Sequence, residues 1–407
     1  MSIDTPTREP PAAADIQPFT VTVSQEAIDD LRRRILATRW PTRELVSDRS
    51  QGVQLATMQA LARYWASDYD MRRSETRLNA LPQFTTRIDG VDVHFIHVRS
   101  RHEGALPMIM THGWPGSVME LLEIIGPLTD PTAHGGSADD AFHLVLPSVP
   151  GYGFSSEPTE LGWFHGRIAQ AWAELMRRLG YSRYVAQGGD VGAAVTDAMG
   201  RQGAEGLAGI HTNLLVTMLG TGGPPAPNTT PEEQAASAAV ATFRATGFGY
   251  FLEQATRPQT IGYALLDSPV ALAAWMLDHD TDAYLKISSA FVQDKPSGGL
   301  TRDAILDNIT VYWLTGTGAS AAREYWESGM AAAQTAGTTP PPVKVPTAFT
   351  AFPGEIYVAP RSWVEQGYGN LTYYNRAARG GHFAAWEEPQ LLTEELRAAF
   401  RPLRSGS

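Results

Sequence analysis

A chain of 407 residues is long enough for two or three domains at ~150 residues each, and its 43% hydrophobic content suffices for a sizeable core. A formal net charge of −11 argues against a nucleic-acid or anionic-membrane partner. The absence of cysteine excludes disulfides, a cysteine nucleophile and thiolate metal sites.

Residues 1–15, rich in Pro, Ala and Thr, read as a disordered tail. They contain no basic segment followed by an apolar one, so no secretory signal is expected. No run approaches ~18 consecutive apolar residues, so no membrane span is expected and the setting reads as cytoplasmic. Ser24 is placed to cap a first helix, in which Ile28, Leu31 and Ile35 recur at helical spacing. The run Arg32-Arg33-Arg34 reads as its solvated face. A second helix carries Leu55, Met58, Leu61 and Trp65 on one side.

From residue 84 the period changes to two. Asp89-Gly90 is a hairpin turn signal, and VDVHFIHV (91–98) alternates apolar with polar. LPMIMTHGWPGS (106–117) and FHLVLPSVPGYGFS (142–155) are apolar strands running into glycine loops. Helical stretches around 118–127 and 164–179 separate the strands, and the series continues through 184–190 and a short strand near 209–215. Strand–helix alternation predicts an α/β fold built on a mostly parallel, doubly wound sheet. Residues 220–234 read as a Gly/Pro-rich linker into a mostly helical insertion, which 333–346 closes. The strand pattern resumes at 345–355 and 371–383. An insertion between two halves of one sheet reads as a lid over the edge where catalytic loops emerge.

The segment YVAQGGDVGAAVTDAMG (184–200) reads as a buried strand, a sharp turn and an alanine-rich helix. That is the frame of a nucleophile elbow, usually G-x-S-x-G, but here Gly188-Gly189-Asp190-Val191-Gly192. Glycine flanks are needed because the tight turn leaves no room for side chains. An aspartate is already ionised at neutral pH and needs no base to attack. It would attack an electrophilic carbon and form an alkyl ester, which points to strained epoxides or alkyl halides. An elbow nucleophile takes its acid and then its histidine later in the chain. Of ten histidines only His382 follows the insertion, within Arg379-Gly380-Gly381-His382-Phe383. Glu355, at the end of the strand 345–355, is the acid that would orient and stabilise its imidazole. Glu365 falls in a helical stretch instead. His112-Gly113-Trp114-Pro115-Gly116 follows a strand at the place where a hydrolase lends a backbone N–H to its oxyanion hole. Trp114 would give one donor and Val191 the other.

Taken together, these motifs resemble the epoxide hydrolases of the microsomal type, from about residue 16 onward. The resemblance runs through Asp30-Leu31-Arg32, Arg39-Trp40-Pro41, Arg63-Tyr64-Trp65, Leu78-Asn79 with Phe84, and His94-Phe95-Ile96-His97-Val98. It continues in Arg257-Pro258-Gln259-Thr260-Ile261-Gly262, Asp267-Ser268-Pro269, Tyr312-Trp313 with Thr315-Gly316-Thr317, Ala351-Phe352-Pro353 and Glu387-Glu388-Pro389. It implies an α/β-hydrolase fold with an N-terminal meander (16–90), core segments 91–215 and 344–407, and a helical lid (216–343). It further implies that Tyr250 and Tyr325, both in the lid, grip the epoxide oxygen; a phenol of reference pKa ~10 is a donor at neutral pH. The implied reaction turns an epoxide and water into a vicinal diol through an ester on Asp190, hydrolysed by a water that His382 and Glu355 activate. No cofactor or metal is expected. A homodimer is the oligomer that the family suggests. Phe248, Phe251, Trp275, Phe291 and Trp313 of the lid suggest a small lipophilic or aryl-bearing substrate.

Val191 departs from the many relatives that carry Trp after the nucleophile. A haloalkane dehalogenase is one alternative, against which Val191 counts, because halide binding commonly uses a Trp N–H there. A non-catalytic ligand-binding protein on a hydrolase scaffold is another.

Overall fold

The computed structural model describes residues 16–216, 230–334 and 342–404. The expected tail at 1–15 lies outside the described residues, as do most of the predicted linker and part of the closing segment. Among the described residues one sheet holds nine strands: β1 (Gln17–Pro18), β2 (Gln83–Ile88), β3 (Val91–Val98), β4 (Leu106–Thr111), β5 (Phe142–Pro147), β6 (Tyr184–Gly188), β7 (Leu207–Thr212), β8 (Thr347–Ala351) and β9 (Leu371–Arg376). Their spatial order is β1-β2-β3-β5-β4-β6-β7-β8-β9. Pairing is antiparallel from β1 to β5 and parallel from there to β9. This is the mostly parallel, doubly wound sheet of an α/β-hydrolase. Asp89 and Gly90 both take positive φ, which closes the β2–β3 hairpin.

Apolar layers cover both faces of the sheet. Successive strand residues alternate between them: Phe95, Ile109, Val145 and Ala186 join one core, and Ile96, Met108, Leu144 and Val185 the other. Parallel strands buried on both faces are apolar throughout, which is why β4–β6 read as uninterrupted apolar runs.

Before the sheet come α1 (Gln25–Leu36), α2 (Leu55–Ser67) and α3 (Met71–Asn79). Ser24 caps α1 by accepting from the Ala27 N–H, and Ile28, Leu31 and Ile35 face inward. Helix α3 went unread in the sequence because MRRSETRLN is almost wholly polar; only Met71, Ser74 and Leu78 are buried. Within the core lie α4 (Ile125–Thr129), α5 (His165–Arg178) and α6 (Val191–Gln202). The stretch expected as one helix at 118–127 is a 3₁₀ turn over Val118–Ile124 that widens into α4.

Between β7 and β8 lie α7 (Pro231–Thr246), α8 (Gly249–Thr256), α9 (Pro258–Asp267), α10 (Pro269–Leu277), α11 (Thr281–Gln293), α12 (Arg302–Thr315) and α13 (Gly318–Gln334). The last residues of the predicted linker are helical. Thr230 and Glu233 form a reciprocal capping box that starts α7 at Pro231, a first-turn position proline favours. After β8 come α14 (Arg361–Gly367), α15 (Ala384–Glu387) and α16 (Pro389–Phe400).

The N-terminal helices grip the middle of this insertion through named polar contacts. Trp65 donates to Thr310 Oγ1 at 2.9 Å, Tyr69 to Asp307 at 2.8 Å and Tyr64 to Asp303 at 2.9 Å, all on α12. Thr57 meets Ser288 of α11 at 2.7 Å, and Arg49 pairs with Asp278 at 2.7 Å. Arg34 corrects the reading of its run as a solvated face. It reaches the Asp267 carbonyl at 2.8 Å and lies over the Trp313 ring.

Candidate active site

Strand β6 ends at Gly188 and α6 begins at Val191, so the chain reverses within two residues. Asp190 absorbs the turn at φ 52° and ψ −127°, a conformation that strains a side-chain-bearing residue. The flanking glycines are forced by contact. A methyl at Gly188 would collide with the Gly192 carbonyl, one at Gly192 with the Thr111 carbonyl, and one at Gly113 with Asp190 itself. Strands β4 and β6 are neighbours in register, Thr111 opposite Gly188. The loop after β4 therefore meets the elbow after β6, at the point where the strand order reverses and α/β sheets bind their ligands.

Trp114, in that loop, donates its backbone N–H to Asp190 Oδ1 at 2.8 Å. Val191 occupies the first helical position, where an N–H has no partner within its own helix. Helix α12 fixes the Trp114 loop. Asn308 donates to the Pro115 carbonyl at 2.8 Å and accepts from Ser117 at 2.7 Å, while Tyr312 donates to the Gly116 carbonyl at 2.6 Å. The Tyr312 ring also meets that of Trp114 edge-on at 5.3 Å.

Asp190 Oδ2 faces His382 Nε2 at 3.4 Å, and His382 Nδ1 lies 2.6 Å from Glu355 Oε1. The two loops are pinned together by a bridge between Gly354 and Gly381. Glu355 does not end a strand as expected; β8 stops at Ala351, and Glu355 stands in the following loop. There its Oε1 also accepts from the Ile356 N–H at 2.9 Å. Burial works against a charged imidazole at His382, but the Glu355 charge and Asp190 outweigh it and push its pKa well above the usual histidine value. Burial likewise opposes ionisation of Asp190, yet His279 and His382 hold its carboxyl far below the ordinary range.

Tyr250 and Tyr325 are buried, their rings 6.2 Å apart and edge to face. Both line, with Asp190 and Val191, a cavity of about 580 Å³. Burial, then the Asp190 charge, raises both phenols well above 10, so both stay protonated. Phe248 and Phe251 stack at 4.3 Å and also line this cavity. The other three lid aromatics do not. Trp275 donates to Gln254 within the insertion, whereas Phe291 packs against Tyr64 of α2 and Trp313 lies under Arg34 of α1, so these two seat the insertion on the N-terminal helices.

The fold thus brings Asp190, His382, Glu355, Trp114, Val191, Tyr250 and Tyr325 into one place. Residues 16–121 match the family model described as "Epoxide hydrolase N terminus". The chain is 51% identical to a Stigmatella aurantiaca protein named "Putative epoxide hydrolase", over 96% of this chain and 86% of that one. It is 35% identical to "Epoxide hydrolase 1" of Sus scrofa, over 96% and 90%. This chain belongs to the epoxide hydrolase family. Among solved structures, the Aspergillus niger epoxide hydrolase superposes with a TM-score of 0.80 at 31% identity, covering 96% of this chain and 97% of that one. Juvenile hormone epoxide hydrolase from the silkworm Bombyx mori gives 0.81 at 29%, covering 96% of each.

Three site residues escaped the sequence reading of this family member. His279 lies in the turn between α10 and α11, its Nε2 3.6 Å from Asp190 Oδ2 and its Nδ1 3.1 Å from Asp280. Its ring centroid is 4.4 Å from that of His382. Chain order set it aside as a lid histidine; the available signal was Asp278-His279-Asp280, an imidazole between two acids. Glu120 folds back over Gly116, where a methyl would strike its carboxylate, and burial raises its pKa to about 8. Glu324 lines the cavity beside Tyr325, and burial raises it to about 7. No helix among the described residues is long and apolar enough to cross a membrane.

Proposed function

We propose that this epoxide hydrolase opens small lipophilic epoxides to vicinal diols through an ester on Asp190. What carries the reading is the division of the Asp190 carboxylate. Oδ1 is tied to the Trp114 N–H, leaving Oδ2 as the attacking atom beside His382. Oδ2 attacks one ring carbon while Tyr250 and Tyr325 donate to the ring oxygen, which would otherwise leave as a poorly stabilised alkoxide. His382 Nε2 then takes a proton from a water that attacks Cγ of the ester, and Glu355 stabilises the imidazolium. The N–H groups of Trp114 and Val191 hold the charge that builds on Oδ1. Collapse breaks Cγ–Oδ2 as the His382 imidazolium returns its proton to Oδ2, so the diol departs with that oxygen and the carboxylate is restored with one from water. Beside Asp190, Val191 offers no side-chain N–H for a halide, which disfavours haloalkane dehalogenation.

The same reading divides the chain into a meander (16–90), two core segments (91–215, 344–407) and a lid (216–343). It also carries the homodimer and the cytoplasmic setting that the resemblance implies; a sedimentation mass of two chains would check the first. Hydrolysis of racemic styrene oxide, with chiral analysis of the diol, tests the reaction. Wild type should form diol and Asp190→Ala none. His382→Gln should accumulate enzyme heavier by one substrate mass; normal turnover by that variant would remove His382 from the role of base.

A further inference from the structure

Two imidazole–carboxylate pairs converge on a single oxygen. His382 is backed by Glu355 and His279 by Asp280, each through Nδ1. An Nδ1–H donated to a carboxylate leaves the lone pair on Nε2, the tautomer in which histidines ligate metals, with a carboxylate behind them. Both Nε2 atoms are buried, and neither has a hydrogen-bond partner among the described residues. They stand 3.4 and 3.6 Å from Asp190 Oδ2, and the three atoms all lie within 4.8 Å of one another. Zinc bound at ~2.0–2.2 Å sets tetrahedral ligand atoms about 3.3 Å apart, so both edges through Asp190 are already near that spacing. Charge favours a cation as well. Three carboxylates, Asp190, Glu355 and Asp280, surround two imidazoles, and an ion takes the place of the Nε2 protons that these carboxylates favour, so its binding releases protons.

We propose that Asp190 Oδ2, His279 Nε2 and His382 Nε2 form a binding site for a divalent transition-metal ion of the zinc type, and that filling it switches hydrolysis off. Two nitrogens and one oxygen suit zinc, cobalt or nickel, not magnesium or calcium, which take oxygen ligands. A bound ion occupies the lone pairs of the proposed nucleophile and the proposed base together. The inhibition rests on the reading of Asp190 and His382 given above; the binding rests on the three ligand atoms alone.

Protein freed of metal with EDTA is titrated with zinc chloride by calorimetry, wild type beside His279→Phe, which keeps an aromatic ring and removes the ligand. Thermal melting verifies that the variant is folded, and His279→Gln serves if it is not. Styrene oxide hydrolysis is followed over the same zinc range. The expected result is one zinc per wild-type chain, with affinity at least about tenfold lower in the variant. Wild-type diol formation should fall in step with occupancy and return with EDTA, and magnesium should do nothing. Absence of zinc binding by the wild type, or equal binding by the variant, overturns the site. Zinc bound through His279 with hydrolysis untouched overturns the switch. A chain that binds zinc through His279 but hydrolyses no epoxide keeps the site and defeats the reading of function instead.

Discussion

Aspartate at the elbow changes what the rest of the site has to supply. Serine would need His382 to attack; in the proposed mechanism Asp190 needs it only afterwards, so the two half-reactions depend on different side chains. The proposal assigns the phenols to the first. Tyr250→Phe and Tyr325→Phe should each slow ester formation by about a hundredfold, while hydrolysis of preformed ester, read by rapid quench, stays near wild type. Equal slowing of both steps would make the tyrosines packing residues. At this scale much of the site was legible. Gly188, Gly192 and Gly113 are dictated by collisions that any sequence with this turn has to avoid, and chain order singled out His382. His279 was not legible, because its meaning arises only when the α10–α11 turn is laid over the sheet edge. Phe291 and Trp313 misled for the converse reason: an aromatic in a lid can face the neighbouring helices as readily as the substrate.

Helix α12 is the element that joins lid to chemistry. Its Asn308 is buried and holds both Ser117 and the Pro115 carbonyl, one on each side of Gly116. Asn308→Ala leaves those groups unpaired and should cost about 1–3 kcal/mol of stability. It should also lower kcat by loosening the Trp114 N–H, with KM little changed; a stability loss with kcat intact would confine Asn308 to packing. A second tie runs from α11, where Lys286 pairs with Glu387 at 2.5 Å, and Glu387 accepts from the Phe383 N–H next to His382. Strong apolar periodicity made α1, α2 and the core strands readable. Helix α3 and the 3₁₀ turn at Val118–Ile124 were not, since the first offers little apolar face and the second departs from the 3.6-residue period.

For the whole molecule, buried acids and buried histidines set the pH response in opposite directions. Glu120 titrates near 8 and Glu324 near 7 in the folded chain, both raised mainly by burial, against ~4.3 for an unfolded glutamate. Between these limits the folded state keeps protons on the two acids that the unfolded state has released, so their contribution to stability falls as pH rises from about 4.3 toward 8. His382, raised above its usual value, acts in the same direction from ~6.5 upward. Asp190, held low, acts oppositely; its contribution is lost as pH falls below ~3.9. Burial holds His94, His97, His112 and His211 at about 3 or 4, so they act oppositely and add stability as pH rises toward ~6.5. The melting temperature should therefore decline only from about pH 7 to pH 8, and Glu120→Gln, neutral at every pH, should flatten that decline. An unchanged slope would show that Glu120 is ionised in the folded protein.

The grip of the N-terminal helices is uneven, and that has an evolutionary side. Their polar contacts fall on Asp267, Asp278, α11 and α12, the half of the insertion that carries His279 and Asn308. The aromatic wall of the cavity comes instead from Phe243 of α7, Phe248 in the turn after it and Phe251 of α8, facing Ser328 and Gly329 of α13. Mutational drift in α7 and in α8 beyond Tyr250 can then reshape which molecules fit while the reacting groups keep their alignment. Sequence variation across this lineage should concentrate there, and directed evolution of selectivity should begin with those two helices.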